Sequence, residues 1–297
     1  MNLTVKPKAP DFIGIGMERA GTSWLFSQLA SHPEIWVPPL KEIHYFDVID
    51  PQAKFLDHRF SYHLKSRIKQ KAAPFANIEK RPEFGKNSYL EYLLWDACYF
   101  TGKAENNWYQ RLFSERFTKG RVSGEITPAY SNLTPDTIKL ILDINPDVKF
   151  LLMVRNPVQR LWSGIVHYFT HIQKRNFSEV SEEEILNYLK ESKATSRSDL
   201  YSILTNWKNS VGGDQLLIQS FEDITHKPEN IIRQSYQFLN VSQSYMPPEN
   251  LYKSKINTYT KKTYDIPDAV ENYMQQHCQE GMDLLKESHP EIVGKWQ

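Results

Sequence analysis

The chain has 297 residues, 40% of them hydrophobic and 13% aromatic, enough for a sizeable core in one α/β domain. Its 36 basic residues against 35 acidic ones leave a formal charge of +1, which lacks the basic excess of a nonspecific nucleic-acid binder. Cys98 and Cys278 make neither a zinc spacing nor a disulfide framework; with no signal-like N-terminus and no run of about 20 apolar residues, a cytoplasmic protein without a membrane span is expected.

In chain order, DFIGIGM (11–17) reads as a short apolar strand ending in glycine. TSWLFSQLASH (22–32) reads as a helix, with Trp24, Leu25 and Leu29 at helical spacing and Pro33 to stop it. EIWVP (34–38) is a second strand. Residues 50–110 mix aromatic and basic residues and yield one predicted helix, near 89–100. RVSGEIT (121–127) reads as a strand and PDTIKLILDI (135–144) as a helix opened by proline. VKFLLMV (148–154) is the continuous apolar run of a buried parallel strand. A helix from Pro157 to about 173 follows, then helices near 182–192 and 199–210 and a strand at QLLIQSF (215–221). PENIIRQSYQFL (228–239) and a stretch from about 268 to 287 complete the helices. This alternation predicts a single domain with a mostly parallel sheet flanked by helices on both faces, without internal repeats or linkers.

The segment GIGMERAGTSW (14–24) joins the first strand to the first helix. Gly16, Gly21 and Ser23 have the spacing of the phosphate-binding pattern G-x-x-x-x-G-K-[ST], but Thr22 stands where that pattern has lysine. A dinucleotide-binding reading fails because its third glycine falls at Arg19. Strand, tight loop and helix still point backbone N–H groups and a positive helix end at an anion. Arg19 adds a permanent guanidinium inside the loop, so the segment reads as a P-loop-like cradle for a 5′-phosphate.

ERAGTSW (18–24) resembles the 5′-phosphosulfate loop of sulfotransferases that use 3′-phosphoadenylyl sulfate, PAPS. Arg19 falls on that family's catalytic lysine, and Ala20, Gly21, Thr22, Ser23 and Trp24 on the rest of the motif. FLLMVRNPVQRLWSGIVHYF (150–169) resembles the family's 3′-phosphate motif, with Arg155 at a strand end and Ser163 about two turns into the next helix. There a guanidinium and a hydroxyl would converge on one phosphate. KEIHYFD (41–47), GEITPAY (124–130), residues 200–224 and residues 228–241 are similar to the heparan-sulfate-type and bacterial branch. The likeness covers most of 10–241 in order and is weak over the last fifty residues. It implies a core at about 10–241, a C-terminal helical segment at about 265–297, PAPS as co-substrate, adenosine 3′,5′-bisphosphate (PAP) as product, and no metal.

Sulfuryl transfer needs a base for the acceptor's proton and a cation where the leaving oxygen gains charge. Arg19 is the expected cation, acting by charge and hydrogen bonds because arginine stays protonated. For the base, the resemblance implies Glu42, with His44 and Asp47 nearby; if 41–47 is strand-like, Glu42 and His44 share a face. Histidine is suited near neutrality, whereas glutamate would need its pKa raised by burial. On the resemblance Glu42 ranks slightly ahead with His44 the alternative, and the plainer reading is a packed polar His44 and a Glu42 paired with Lys41.

The resemblance also implies that Trp24 offers a face to adenine and that Glu125 lies at the bottom of the acceptor cleft, capping or ion pairing being its other reading. Lys261 or Lys262 of NTYTKK (257–262) stands in for the family's glycine-rich basic loop over the 3′-phosphate. His167 and His171 lie four apart without a third metal ligand and are expected to face the acceptor cleft. Basic residues at 54–86 (Lys65, Arg67, Lys69, Lys71, Lys80, Arg81, Lys86) form either an acceptor lid or a solvated face. Heparan-type enzymes carry a lysine after the glutamate of GE-x-[ST]-P, where this chain has Ile126. A small-molecule hydroxyl or amine is therefore the expected acceptor, with a glycan as the alternative. The rivals from other classes are a degenerate P-loop kinase or NTPase and a non-catalytic nucleotide-binding protein.

Overall fold

The computed structural model describes residues 6–52, 89–101, 103, 105–191, 198–253 and 264–296. Among these, five strands form one parallel sheet: β1 (Phe12–Gly16), β2 (Ile35–Trp36), β3 (Val122–Ile126), β4 (Lys149–Val154) and β5 (Leu216–Ser220). Their spatial order is β2-β3-β1-β4-β5. The expected parallel α/β architecture is present. Phe12, Ile13 and Ile15 of β1 and Phe150 through Val154 of β4 are at most 1% exposed, as strands covered on both faces require.

The helices that bear on the site are α1 (Thr22–Ser31), α2 (Phe46–Ile49), α3 (Tyr89–Thr101), α4 (Asn106–Arg111) and α5 (Glu115–Thr118). They continue with α6 (Pro135–Ile144), α7 (Pro157–His167), α8 (Glu182–Glu191) and α9 (Leu200–Ser210). α10 (Phe221–His226), α11 (Pro228–Phe238), α12 (Glu249–Tyr252), α13 (Asp268–Ser288) and α14 (Pro290–Val293) complete them. The starts of α6 and α7 have one local recipe: proline at the first position and a capping side chain before it. Thr134 accepts from Thr137 N, and Asn156 accepts from Val158 N and Gln159 N.

Two boundaries differ from the sequence expectation. The helix predicted to run to 173 is α-helical only to His167 and continues as a π-turn at Tyr168–Ile172. The segment expected as a strand at 34–38 pairs only through Ile35 and Trp36, because Pro38 and Pro39 cannot donate to a ladder. A second buried cluster, including Trp162, Ile165, Phe169, Ile185 and Met274, packs α7, α8 and α13 together beside the main core.

The topology fixes where a ligand can enter. β1 is central, with β3 on one side and β4 on the other, so the strand order reverses there. The carboxyl ends of β1, β3 and β4 deliver residues 17–21, Glu125 to Thr127, and Arg155 to one crevice. Close approach of β1 and β3 needs Gly124, since a Cβ there would lie 2.2 Å from the Phe12 carbonyl oxygen. Among the described residues, no helix is long and apolar enough to cross a membrane.

Candidate active site

The loop after β1 is held by its carbonyl groups. Met17 O accepts from Ala20 N at 3.2 Å, Glu18 O from Arg160 Nε at 3.1 Å, and Arg19 O from Arg155 Nη1 at 3.0 Å. Arg160 is 5% exposed and also reaches Ser198 Oγ and the Glu18 carboxylate. With the carbonyls engaged from behind, the loop turns through Arg19 at φ 66° into Gly21 at φ 84°. Gly21 is the N-cap of α1 and has no side chain to hydrogen-bond the N–H groups of the first helical turn. Glycine is also required for space. A Cβ at Gly21 would fall 2.4 Å from Ile224 Cδ1, on α10.

Arg155 links the two predicted anion pockets. It is half-buried at the end of β4, its guanidinium packs 4.3 Å over the Phe221 ring, and one of its nitrogens is taken by the loop carbonyl. Ser163 is half-buried on α7. Thr22 is buried and Ser23 half-buried in the first turn of α1. Trp24, expected to offer a face to adenine, is 4% exposed and packs in the main core, and its indole N–H donates to Tyr252 O at 2.8 Å. That bond ties α1 to α12. Lys261, Lys262 and the basic residues at 54–86 lie outside the described residues.

The segment 41–47 approaches from the β3 side of the crevice, and it is not a strand. Glu42 and His44 both adopt left-handed backbone, at φ 69° and 56°. They nevertheless meet, by two tight reversals instead of by strand periodicity, with His44 Nε2 3.5 Å from Glu42 Oε2. His44 Nδ1 donates to Asp47 Oδ2 at 2.7 Å, and Lys41 pairs with Glu42. The four side chains form a line of alternating charge. Burial opposes ionisation of Glu42, but Lys41 and His44 outweigh it and hold the carboxyl well below the usual carboxylate range. Burial likewise opposes charge on His44, yet Asp47 and Glu42 raise it to about 9. The raised pKa that a glutamate base would need is therefore not found, because the neighbours of Glu42 are cations. Glu42 keeps 35% side-chain exposure against 10% for His44, so Glu42 is the more reachable of the two.

Glu125, expected at the cleft bottom, is wholly buried beneath this segment. It accepts from Tyr109 Oη at 2.7 Å, Thr127 Oγ1 at 2.6 Å, Tyr130 Oη at 3.2 Å and Ile43 N at 3.3 Å. Burial pushes its carboxyl up while these hydrogen bonds pull it down. Ile126, one residue on, is also wholly buried. His167 and His171 stack with ring centroids 5.1 Å apart across the start of the π-turn. Burial, then Lys174 and Arg19, lower His171. Among the described residues, no group of three or more His, Cys, Asp or Glu is arranged to hold a metal ion.

Sequence reasoning missed Arg160, Tyr109, Thr127 and Tyr130, whereas the pairing of Glu42 with Lys41 is the plainer reading that it had named. Arg160 lies five residues after Arg155 in the same motif, but nothing local distinguishes a buried arginine that holds a loop from an exposed one. Tyr130 closes GEITPAY, whereas Tyr109 comes from a region whose sequence pattern is unreadable.

A model of the sulfotransferase family matches residues 10–245, and the chain belongs to that family. A sulfotransferase from Alicyclobacillus acidocaldarius, 20% identical, shares the fold with a TM-score of 0.58 over 94% of each chain. Carbohydrate sulfotransferase 15 of Rattus norvegicus and that of Mus musculus are each 22% identical over 287 residues, covering 86% of this chain and 48% of theirs. The chain thus spans about half the length of these curated relatives. Family membership supports a transferase that moves sulfuryl groups.

Proposed function

We propose that the chain transfers a sulfuryl group from PAPS to the hydroxyl or amine of a small molecule. The observation that carries this reading is the presence, at the carboxyl ends of adjacent strands, of an α1 N-terminus whose N-cap makes no side-chain hydrogen bond and of a solvent-reachable carboxylate, Glu42. The residues suit PAPS: Gly21 to Ser23 offer backbone N–H groups to its 5′-phosphosulfate, while Arg155 and Ser163 are the candidates for its 3′-phosphate. When bound, PAPS supplies an activated sulfuryl group on a good leaving phosphate. Arg19 meets the charge that grows on the leaving oxygen and does so without giving up a proton. Glu42 receives the acceptor's proton, a role that requires ligand binding to loosen its pairing with Lys41 or His44, since that pairing holds it well below the usual carboxylate range. His44, fixed by Asp47, orients the carboxylate from behind. The acid groups Glu42, Asp47 and Glu125, with Ile126 buried where heparan-type enzymes carry a lysine, favour a compact neutral or cationic acceptor over a polyanion.

The test is transfer of labelled sulfate from PAPS to a panel of small alcohols, amines and glycans, alongside PAP binding read as a thermal shift without Mg²⁺. Transfer to small acceptors and a PAP-dependent stabilisation are expected. Magnesium-dependent ATP turnover with no PAP binding would overturn the donor assignment, and preferential sulfation of glycans would overturn the acceptor assignment.

A further inference from the structure

We propose that Glu125, acting with Tyr109 and Tyr130, is the positioning unit of the acceptor-side loop: it fixes the backbone of residues 43–46 so that Glu42 and His44 meet, while touching neither reactant. The inference rests on the reading of Glu42 and His44 as the groups that face the acceptor.

Exposure excludes a direct role, since the Glu125 carboxylate is wholly buried and cannot reach an acceptor. Its four partners are all donors: two tyrosine hydroxyls, the Thr127 hydroxyl and the Ile43 N–H. A carboxylate is the side chain that can accept from all of them; the amide of glutamine has one acceptor oxygen and would turn an N–H₂ toward donors. Tyr130 extends the grip, its hydroxyl accepting from Tyr45 N at 2.9 Å and Phe46 N at 3.4 Å while donating to Glu125. Tyr109 completes it from α4, its ring stacked 5.1 Å from that of Tyr45.

The loop needs this grip. Left-handed backbone at two non-glycine residues is strained and persists only where surrounding contacts over-determine it. Here the N–H groups of Ile43, Tyr45 and Phe46 all end on Glu125 or on a hydroxyl bonded to it. The charged groups on the loop are Lys41, Glu42, His44 and Asp47, and Glu125 faces them from β3. Once the backbone is released, Glu42 and Asp47 no longer converge on His44.

The experiment compares wild type with Glu125→Gln and Tyr130→Phe, following the His44 imidazole by NMR titration and PAP binding by thermal shift. In both variants the His44 midpoint should fall by about one pH unit or more toward the ordinary histidine value, with the PAP-dependent shift retained. A variant that merely loses stability while its folded form titrates His44 as wild type does would overturn the proposal. Should Glu125→Gln fail to fold, Tyr130→Phe, which keeps the ring and the carboxylate, decides alone. Loss of the PAP shift in the wild-type protein would instead remove the donor reading and leave the positioning result standing.

Discussion

Two irregular segments lie at the carboxyl ends of neighbouring strands, one following β1 and the other bonded to β3 and the turn after it, and they are held by opposite chemistries. The donor-side loop at 17–21 is gripped by its carbonyl groups, two of them by buried or half-buried arginines reaching over from β4 and α7. The acceptor-side loop at 42–46 is gripped by its amides, through a buried carboxylate and a tyrosine hydroxyl. Each arrangement leaves exposed what that side needs. Carbonyls tied back leave amides to meet an anion, and amides tied back leave side chains to meet an acceptor. The lesson is that the charge of the support is opposite to the charge of the backbone group it takes, and so is set by what the loop must present.

The largest break in this comparison comes from Arg19→Ala. It removes the guanidinium proposed to meet charge in the transition state, while the Arg19 carbonyl that Arg155 holds remains. Turnover should fall roughly a hundred- to a thousand-fold, with PAP affinity changed far less. A proportional loss of PAP binding in calorimetry would make Arg19 an ordinary ligand contact. Next comes Arg160→Met, which removes the support itself. Leaving Glu18 O and Ser198 Oγ without this partner should cost about 2–3 kcal/mol and weaken PAP binding, measured by denaturant midpoint and thermal shift. Unchanged values in both would mean that Arg160 does not hold the loop. A smaller effect is expected from Gly21→Ala, since left-handed backbone and the contact with Ile224 cost roughly 1–2 kcal/mol after the isoleucine tip moves aside.

The donor half was legible in the sequence because its signal is local. A glycine at fixed offset from an apolar strand, and an arginine at the end of another, specify their positions without help from the rest of the chain. The strands and most helices were legible for the same reason, with VKFLLMV and the Pro157 helix start recovered within a residue. The support was not. Arg160 to Glu18, Tyr109 to Glu125 and Tyr130 to Tyr45 are contacts between residues 16 to 142 positions apart, and no periodicity announces them. The low pKa of Glu42 was only partly legible: pairing with the adjacent Lys41 could be read from the sequence, but the meeting with His44 comes through two left-handed residues that propensity argues against, not through strand periodicity.

The acceptor side can be sharpened by pH alone. His44 is raised to about 9 in the folded chain, above its ordinary 6.5. Between those values the native state binds more protons than the unfolded one, so stability falls as pH rises. The slope cannot exceed about 1.4 kcal/mol per pH unit for one group, and the contribution is fully present below about 6.5 and lost by passage through about 9. Glu42 works in the other direction and only in acid, its contribution being present above the ordinary carboxylate value and lost as pH falls well below it, so it leaves this window clean. Denaturant midpoints measured from pH 6 to 10 should therefore decline for the wild type and decline less for His44→Gln. Parallel curves would show that the imidazole carries no extra proton, and the acceptor-side loop would then be held by its backbone bonds without the line of alternating charge.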